Sequence, residues 1–105
     1  MLFEWDPEKN RSNQKKHGGI DFEAASRVFS DPGLMLRKDR VIDGEQRWHA
    51  IGTVRNAVLL VVHVYLEDDS DGEETIRIIS AREADPRERR IYLEQAADEA
   101  AEDGT

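Results

Sequence analysis

The chain of 105 residues contains no cysteine. Disulfide frameworks, thiolate zinc sites, iron–sulfur clusters and cysteine nucleophiles are therefore excluded together, and stability has to come from packing. A long apolar run is also missing. The longest extends only from Ala57 to Val62, and the opening Met1-Leu2-Phe3-Glu4-Trp5-Asp6 has no basic leader, so a membrane span is not expected and the protein should be soluble and cytoplasmic. The length suits one small domain and is too short for two cores.

Nucleotide and metal signatures are absent as well. Gly18-Gly19 has the spacing of neither phosphate-cradling fingerprint, and His17, His49 and His63 show no pairwise helical spacing that would make a zinc site. In the acidic stretch Glu67 to Glu74, Asp69, Asp71 and Gly72 are spaced like the start of an EF-hand loop. Ile78, however, stands where the bidentate Glu belongs, and a strand follows where a helix is required. No metal and no other cofactor is expected. The chemistry left is that of His, Lys, Arg, Tyr and carboxylates.

What is present is charge, unevenly spread. The formal net charge of −8 argues at first sight against a polyanionic partner. Much of it sits in Glu67, Asp68, Asp69, Asp71, Glu73 and Glu74 and in the tail residues Asp98, Glu99, Glu102 and Asp103. With these set aside the remaining body is slightly cationic. Lys9, Arg11, Lys15 and Lys16 form one basic cluster, and Arg82, Arg87, Arg89 and Arg90 form another.

Residues 2–5 read as a short first strand ending at Asp6-Pro7, where an Asp cap and a Pro at the first helical position start a helix over Pro7 to Lys16. That helix has no apolar residue, so something other than core burial must hold it. Gly18-Gly19 ends it. Asp21 caps a second helix, in which Phe22, Ala25, Phe29 and Ala24, Val28 recur at helical spacing and should supply core. Asp31-Pro32-Gly33 makes a turn into a short strand over Leu34 to Leu36. Gln46 to Val54 and Ala57 to Leu66 read as strands joined by a tight hairpin at Arg55-Asn56. Thr75 to Arg82 is the next strand. Strict alternation puts Ile76, Ile78, Ser80 and Arg82 on one face, and Arg77, Ile79 and Ala81 on the other. Asp85-Pro86 starts a last helix, with Glu88 in the return position of a capping box. Arg89, Leu93, Ala96 and Ala100 are its expected buried stripe, with Tyr92 beside it. The order implies an α+β domain, residues 1–94: an antiparallel sheet of about four strands, with two N-terminal helices and one C-terminal helix against one side. Residues 95–105 read as an acidic C-terminal extension, a helical end or disordered.

Two clusters carry chemistry. Helical steps of three and four align Lys9, Asn13, Lys16 and His17, so one face offers two cations, an amide and a titratable imidazole. Alternatively, His17 and the lysines merely complement the helix C-terminal dipole. In the second cluster, Ser80, Arg82, Arg87, Glu88 and Tyr92 gather where a strand ends and a helix N-terminus begins, a place for an anion such as a phosphodiester. The alternative there is that Arg82 pairs structurally with Glu88 or another carboxylate and that Tyr92 packs in the core.

The run Trp5-Asp6, Lys9, Asn13, Lys16-His17-Gly18, Phe22, Ala25, Phe29-Ser30-Asp31-Pro32, followed by Ile78-Ile79-Ser80-Ala81-Arg82, Ala84, Glu88-Arg89 and Tyr92, resembles the BrnT toxin family of prokaryotic type II toxin–antitoxin systems. The resemblance covers nearly the whole domain and leaves out the acidic tail. It implies a RelE-like fold and a ribonuclease toxin neutralised by a BrnA-like ribbon-helix-helix antitoxin. Two toxins on an antitoxin dimer would bind operator DNA only through the antitoxin and repress their own operon. Metal-free RNA cleavage needs a base for the 2′-OH, cations on the developing phosphorane and an acid for the 5′-oxygen. His17 is the expected acid or base, with Lys16 and Arg82 as charge stabilisers. Glu88 and Tyr92 are expected as supporting or alternative proton-transfer groups, and Lys9, Asn13 and Arg87 as RNA contacts. The alternative is a non-catalytic antitoxin-binding module that completes a repressor complex.

Overall fold

The computed structural model describes residues 1–66 and 73–103, with side chains as far as residue 98. The loop with the EF-hand-like spacing, residues 67–72, and the side chain of Ala100 lie outside the described residues. Strand β1 (Leu2–Glu4) leads into helix α1 (Pro7–Lys16) and a short helix α2 (Phe22–Ser26), which tightens into a 3-10 turn over Arg27–Ser30. Strands β2 (Met35–Ile42), β3 (Glu45–Val54), β4 (Ala57–Leu66) and β5 (Thr75–Glu83) follow, then helix α3 (Pro86–Asp103).

The sheet has five strands in the order β1-β5-β4-β3-β2, with β1 parallel to β5 and the other pairs antiparallel. It is therefore mixed, where about four antiparallel strands were expected. The additional length is in β2, which continues well past Leu36. Its sequence, Met35-Leu36-Arg37-Lys38-Asp39-Arg40-Val41-Ile42, hides a strand because charged side chains and a register shift between Lys38 and Val41 are typical of a protected sheet edge.

The helices cover both faces, which corrects the one-sided packing read from element order. On one face Phe22, Ala25 and Val28 pack onto Ala50, Leu59, Val61, Ile76, Ile78 and Ala81. On the other, Tyr92 of α3 packs onto Met35, Ile51, Val58 and Leu60. The expected stripe of α3 is shifted accordingly. Tyr92 is buried, whereas Arg89 is exposed and Leu93 is 47% exposed.

A bulge decides which face carries the chemistry. Val62 pairs with Ser80 but His63 pairs with Ile78, so Ile79 is an extra residue in β5. Past it the alternation reverses: Ala81 joins Ile76 and Ile78 in the first core, while Ser80 and Arg82 turn toward α3. The single face expected for Ile76, Ile78, Ser80 and Arg82 is thus divided.

Two side chains replace missing strands. β1 pairs with β5 only as far as Arg77, so the outer edge of β5 is bare at Ala81. Asn13 fills it. Its Nδ2 donates to the Ala81 carbonyl at 2.7 Å and to the Ile20 carbonyl at 3.1 Å, and its Oδ1 accepts from the Ala81 N–H at 3.0 Å. Asn10 Oδ1 accepts from the Phe22 N–H at 2.9 Å. These amides, with the Asp6 cap on the Glu8 N–H, explain how a helix without apolar residues stays on the domain. At the far side, β2 begins opposite Ile51, and Asp31 Oδ2 accepts from the exposed-edge Thr53 N–H at 2.7 Å. Gly52 makes this possible, since a Cβ there would stand 2.9 Å from Val28 Cγ1 and 3.1 Å from Asp31 Oδ2.

Replacing Asn13 by Leu leaves two carbonyls and one N–H without their partners, at about 1–3 kcal/mol for each buried group left unsatisfied. Urea denaturation of Asn13→Leu is expected to show a loss of at least ~2 kcal/mol, against under ~0.5 kcal/mol for Lys9→Ala on the exposed side of the same helix.

Candidate functional site

The bare edge of β5 is where the two basic clusters meet. α1 ends at His17, whose N–H bonds to the Asn13 carbonyl, and Gly18 and Gly19 turn the chain away with φ of 63° and 84°. These are left-handed values that glycine adopts without a Cβ clash. His17, half-buried, borders two adjoining depressions. One, of about 170 Å³, is lined by Lys9, Lys16, His17 and Ser80 among others. The second, of about 360 Å³, is lined by His17, Gly18, Ile20, Arg82 and Glu83. Lys9, Lys16, His17, Ser80 and Arg82 are therefore brought together along one edge, although they come from opposite ends of the chain.

Arg82 is tied to Glu88 by two parallel bonds, Nη1 to Oε1 at 2.7 Å and Nη2 to Oε2 at 3.0 Å. Arg37 approaches the same carboxylate at 3.8 Å. Glu88 also closes the capping box, accepting from the Asp85 N–H at 2.9 Å while its own N–H donates to Asp85 Oδ1 at 2.8 Å. The anion seated between the arginines at the start of α3 is thus the protein's own. The hydrogen bonds from Arg82 outweigh burial and, helped by the Asp85 N–H and the Arg82 and Arg37 charges, hold the Glu88 carboxyl down to about 2. Hydrogen bonding to Glu88 raises the Arg82 pKa in turn, against partial burial. Glu88 is ionised at any physiological pH, so it cannot donate a proton, and it orients Arg82. Arg87, one residue before it, is exposed.

Two expected site residues are engaged elsewhere. Asn13 is 5% exposed and both ends of its amide are spent on β5 and Ile20, so it has no free polar atom for RNA. Tyr92 is 4% exposed; its hydroxyl donates to Asp31 Oδ2 in a short bond and accepts from Thr53 Oγ1 at 2.9 Å. Burial and the neighbouring Asp31 raise the Tyr92 pKa. Burial of Asp31 acts to raise its own pKa, but the Tyr92 hydroxyl and the Thr53 and Gly33 N–H groups overcome this and lower it. Tyr92 is a buried strut that ties α3 to β3 through Thr53 and Asp31.

The face of the sheet toward α3 collects residues that spacing did not single out. Arg37 of β2 pairs with His49 of β3, His49 with Val62 of β4, and Val62 with Ser80 of β5. Cross-strand partners share a face, so Arg37, His49 and Ser80 lie in one row beside Arg82. His49 Nε2 lies 3.2 Å from Asp39 Oδ2. No local pattern announces this cluster, because register brings its members together. His63 is different: it is fully buried between the Phe29 and Tyr65 rings, and burial drives its pKa down to about 4. Among the described residues no three His, Asp or Glu side chains gather closely enough to hold a metal ion, and no helix is long and apolar enough to cross a membrane.

A small mixed-sheet domain with arginines, an imidazole and a hydroxyl on one face suits a protein that handles a phosphodiester. Comparison with protein families gives the class, toxins of type II toxin–antitoxin systems, through a match over residues 5–88 to the family described as "Ribonuclease toxin, BrnT, of type II toxin-antitoxin system". The chain belongs to the BrnT family of ribonuclease toxins. No curated protein sequence matches it. Membership in a type II family implies an antitoxin partner.

The depressed Glu88 pKa fixes the sign of a pH effect. Its stabilisation is complete above the ordinary Glu value of 4.5 and is lost as pH falls toward the folded value of about 2. Because Arg82 is partly exposed, the contribution is expected to be about 1–3 kcal/mol. Chemical denaturation of Glu88→Gln should therefore show a deficit against the parent at pH 6 that narrows steadily between pH 4.5 and pH 2.

Proposed function

We propose that this chain is a metal-independent endoribonuclease toxin that cleaves RNA by attack of the 2′-OH on the adjacent phosphate. Its partner is a BrnA-like ribbon-helix-helix antitoxin, two toxins sitting on an antitoxin dimer, and that complex contacts operator DNA through the antitoxin and represses its own operon. The protein acts in the cytoplasm, where its substrate is. One observation carries the reading for a member of this family: His17 and Arg82 border one cleft at the edge of β5, with Lys9 and Lys16 beside it.

In this reading Arg82 stabilises the phosphorane, held in orientation by Glu88, and Lys16 adds charge beside it. His17 exchanges a proton with the reacting oxygens. Lys9 and the exposed Arg87 hold flanking phosphates as point and planar cations respectively. Asn13 and Tyr92 serve the scaffold.

The test is RNA cleavage by antitoxin-free protein in excess EDTA, with product ends mapped. The parent is expected to leave 2′,3′-cyclic phosphates, and Arg82→Ala to lower the rate about 10²–10³-fold. His17→Ala should fall about 10²-fold or more, with antitoxin binding kept by both variants. Tyr92→Phe should lose stability and keep cleavage. A folded parent that stays silent with and without ribosomes would replace this reading with the antitoxin-binding module.

A further inference from the structure

His49 has an arrangement that the mechanism above leaves unused. Its row on the α3 face, Arg37–His49–Val62–Ser80, crosses four strands at ~4.8 Å spacing, a strip about 14 Å wide. Arg82 lies in the next row, opposite Leu60, and reaches the same Glu88 carboxylate as Arg37. Two cations therefore converge on one carboxylate on the face that carries His49, and Arg37 is its cross-strand neighbour. Among the described residues His49 is the one histidine of this face. His17 closes α1 at the sheet edge, and His63 is sealed in the opposite core.

The imidazole is also oriented. Between Lys38 and Val41 the β2–β3 register shifts, and Asp39, the first residue of the irregularity, sets its carboxylate against His49 Nε2 at 3.2 Å. In the neutral ring Nε2 then carries the proton donated to Asp39, and the lone pair is on Nδ1. An anion in that position stabilises the imidazolium that forms when Nδ1 takes up a proton. Both side chains are roughly a quarter exposed, and an ion pair on an edge strand at that exposure adds little to folding, ~0–1 kcal/mol. A register shift that sets a carboxylate against an imidazole on the sheet face that also carries two arginines is better accounted for by chemistry than by stability.

We propose that His49 is the general base of the RNA cleavage and Asp39 its positioning residue, an inference that rests on the ribonuclease reading above. Nδ1 of His49 takes the proton of the 2′-OH, and the 2′-oxygen forms its bond to phosphorus. The P–O5′ bond breaks, the departing 5′-oxygen takes its proton from His17, and His49 then loses a proton to solvent as His17 regains one. The products are a 2′,3′-cyclic phosphate and a 5′-hydroxyl. Arg37 and Arg82 carry the charge that accumulates on the phosphoryl oxygens, and Arg37 becomes a further substrate contact.

The charged and titratable groups around the ring are Asp39 and Arg37 of β2, Arg47 two residues back along β3, His63 of β4 and, through Arg37, Glu88 of α3. Among the described residues only Asp39 meets the ring directly in an ion pair, so its removal should report on the ring itself. The experiment measures kcat and KM for cleavage of a defined RNA by the antitoxin-free parent, His49→Gln, His49→Ala and Asp39→Asn, with thermal unfolding in parallel. His49→Gln and His49→Ala are expected to lose about 10²-fold or more in rate while melting within ~2 °C of the parent. Asp39→Asn is expected to lose about 10-fold in kcat with KM within about twofold of the parent, because the ring loses the partner that orients it and not a substrate contact. Cleavage by His49→Gln within about threefold of an active parent would overturn the base assignment and leave the ribonuclease reading standing. A kcat for Asp39→Asn within about twofold of the parent, or a loss carried by KM alone, would overturn the positioning role. A silent parent, with and without ribosomes, would overturn the ribonuclease reading and this inference together.

Discussion

A backbone N–H or carbonyl buried at a sheet edge with no strand beside it has to find another partner, and this small domain depends on how that need is met at two places. β1 is only three residues long, so β5 is left bare beyond Arg77, and the Asn13 amide supplies both the donor and the acceptor that a sixth strand would have brought. At the opposite end the Asp31 carboxylate does the same for Thr53. In each case one short side chain does two jobs: it satisfies the strand, and it ties down an element that has little else to hold it. Asn13 fastens the all-polar α1, and Asp31, through Tyr92, fastens α3.

The candidate site follows from this arrangement. Were β5 flanked by a full-length strand, His17 could not stand at its edge, and the cleft shared with Arg82 would be filled by backbone. The bulge at Ile79 adds the second condition by turning Ser80 and Arg82 away from the Phe22 core and toward α3. Arg82 then meets the first turn of α3, where Glu88 serves both the capping box and the guanidinium. Placing a carboxylate between Arg82 and Arg37 keeps two mutually repelling cations close together and ordered before any external anion arrives. An incoming phosphate would approach arginines whose conformational freedom is already restricted.

The distribution of charge fits the same picture. A chain of net charge −8 is a poor candidate for long-range attraction to RNA. Lys9 and Lys16 of α1 stand, however, at the edge next to Ser80, and Arg37 and Arg82 on the sheet face that also carries His49. Short-range contacts from Arg37, Arg82, Lys9 and Lys16 can hold a phosphodiester locally even where the global field is unfavourable, because their influence is strongest within a Debye length of about 8 Å.

Much of the secondary structure was readable along the chain because its signals are local. Asp6-Pro7 starts α1, Gly18-Gly19 ends it, Asp21 caps α2, Arg55-Asn56 bends the β3–β4 hairpin, and Asp85 with Glu88 forms the capping box. Each depends on residues within a turn or two of one another. The alternative weighed for Arg82 and Tyr92, an ion pair with Glu88 and a place in the core, is also what the structure contains. The features that went unread are those set by partners distant in sequence. Only the start of β2 reads as a strand along the chain, and its charged continuation is held by pairing with β3; Asn13 reads as an RNA contact, and its partner Ala81 lies 68 residues away. By itself, then, the sequence determined where helices and most strands begin and end, because capping, turn geometry and apolar periodicity act over a few residues. Tertiary structure alone decided which face receives Arg82 and that His49 stands between Asp39, Arg37 and Ser80, because one bulged residue inverts the parity of a strand and only pairing with a neighbour reveals the bulge.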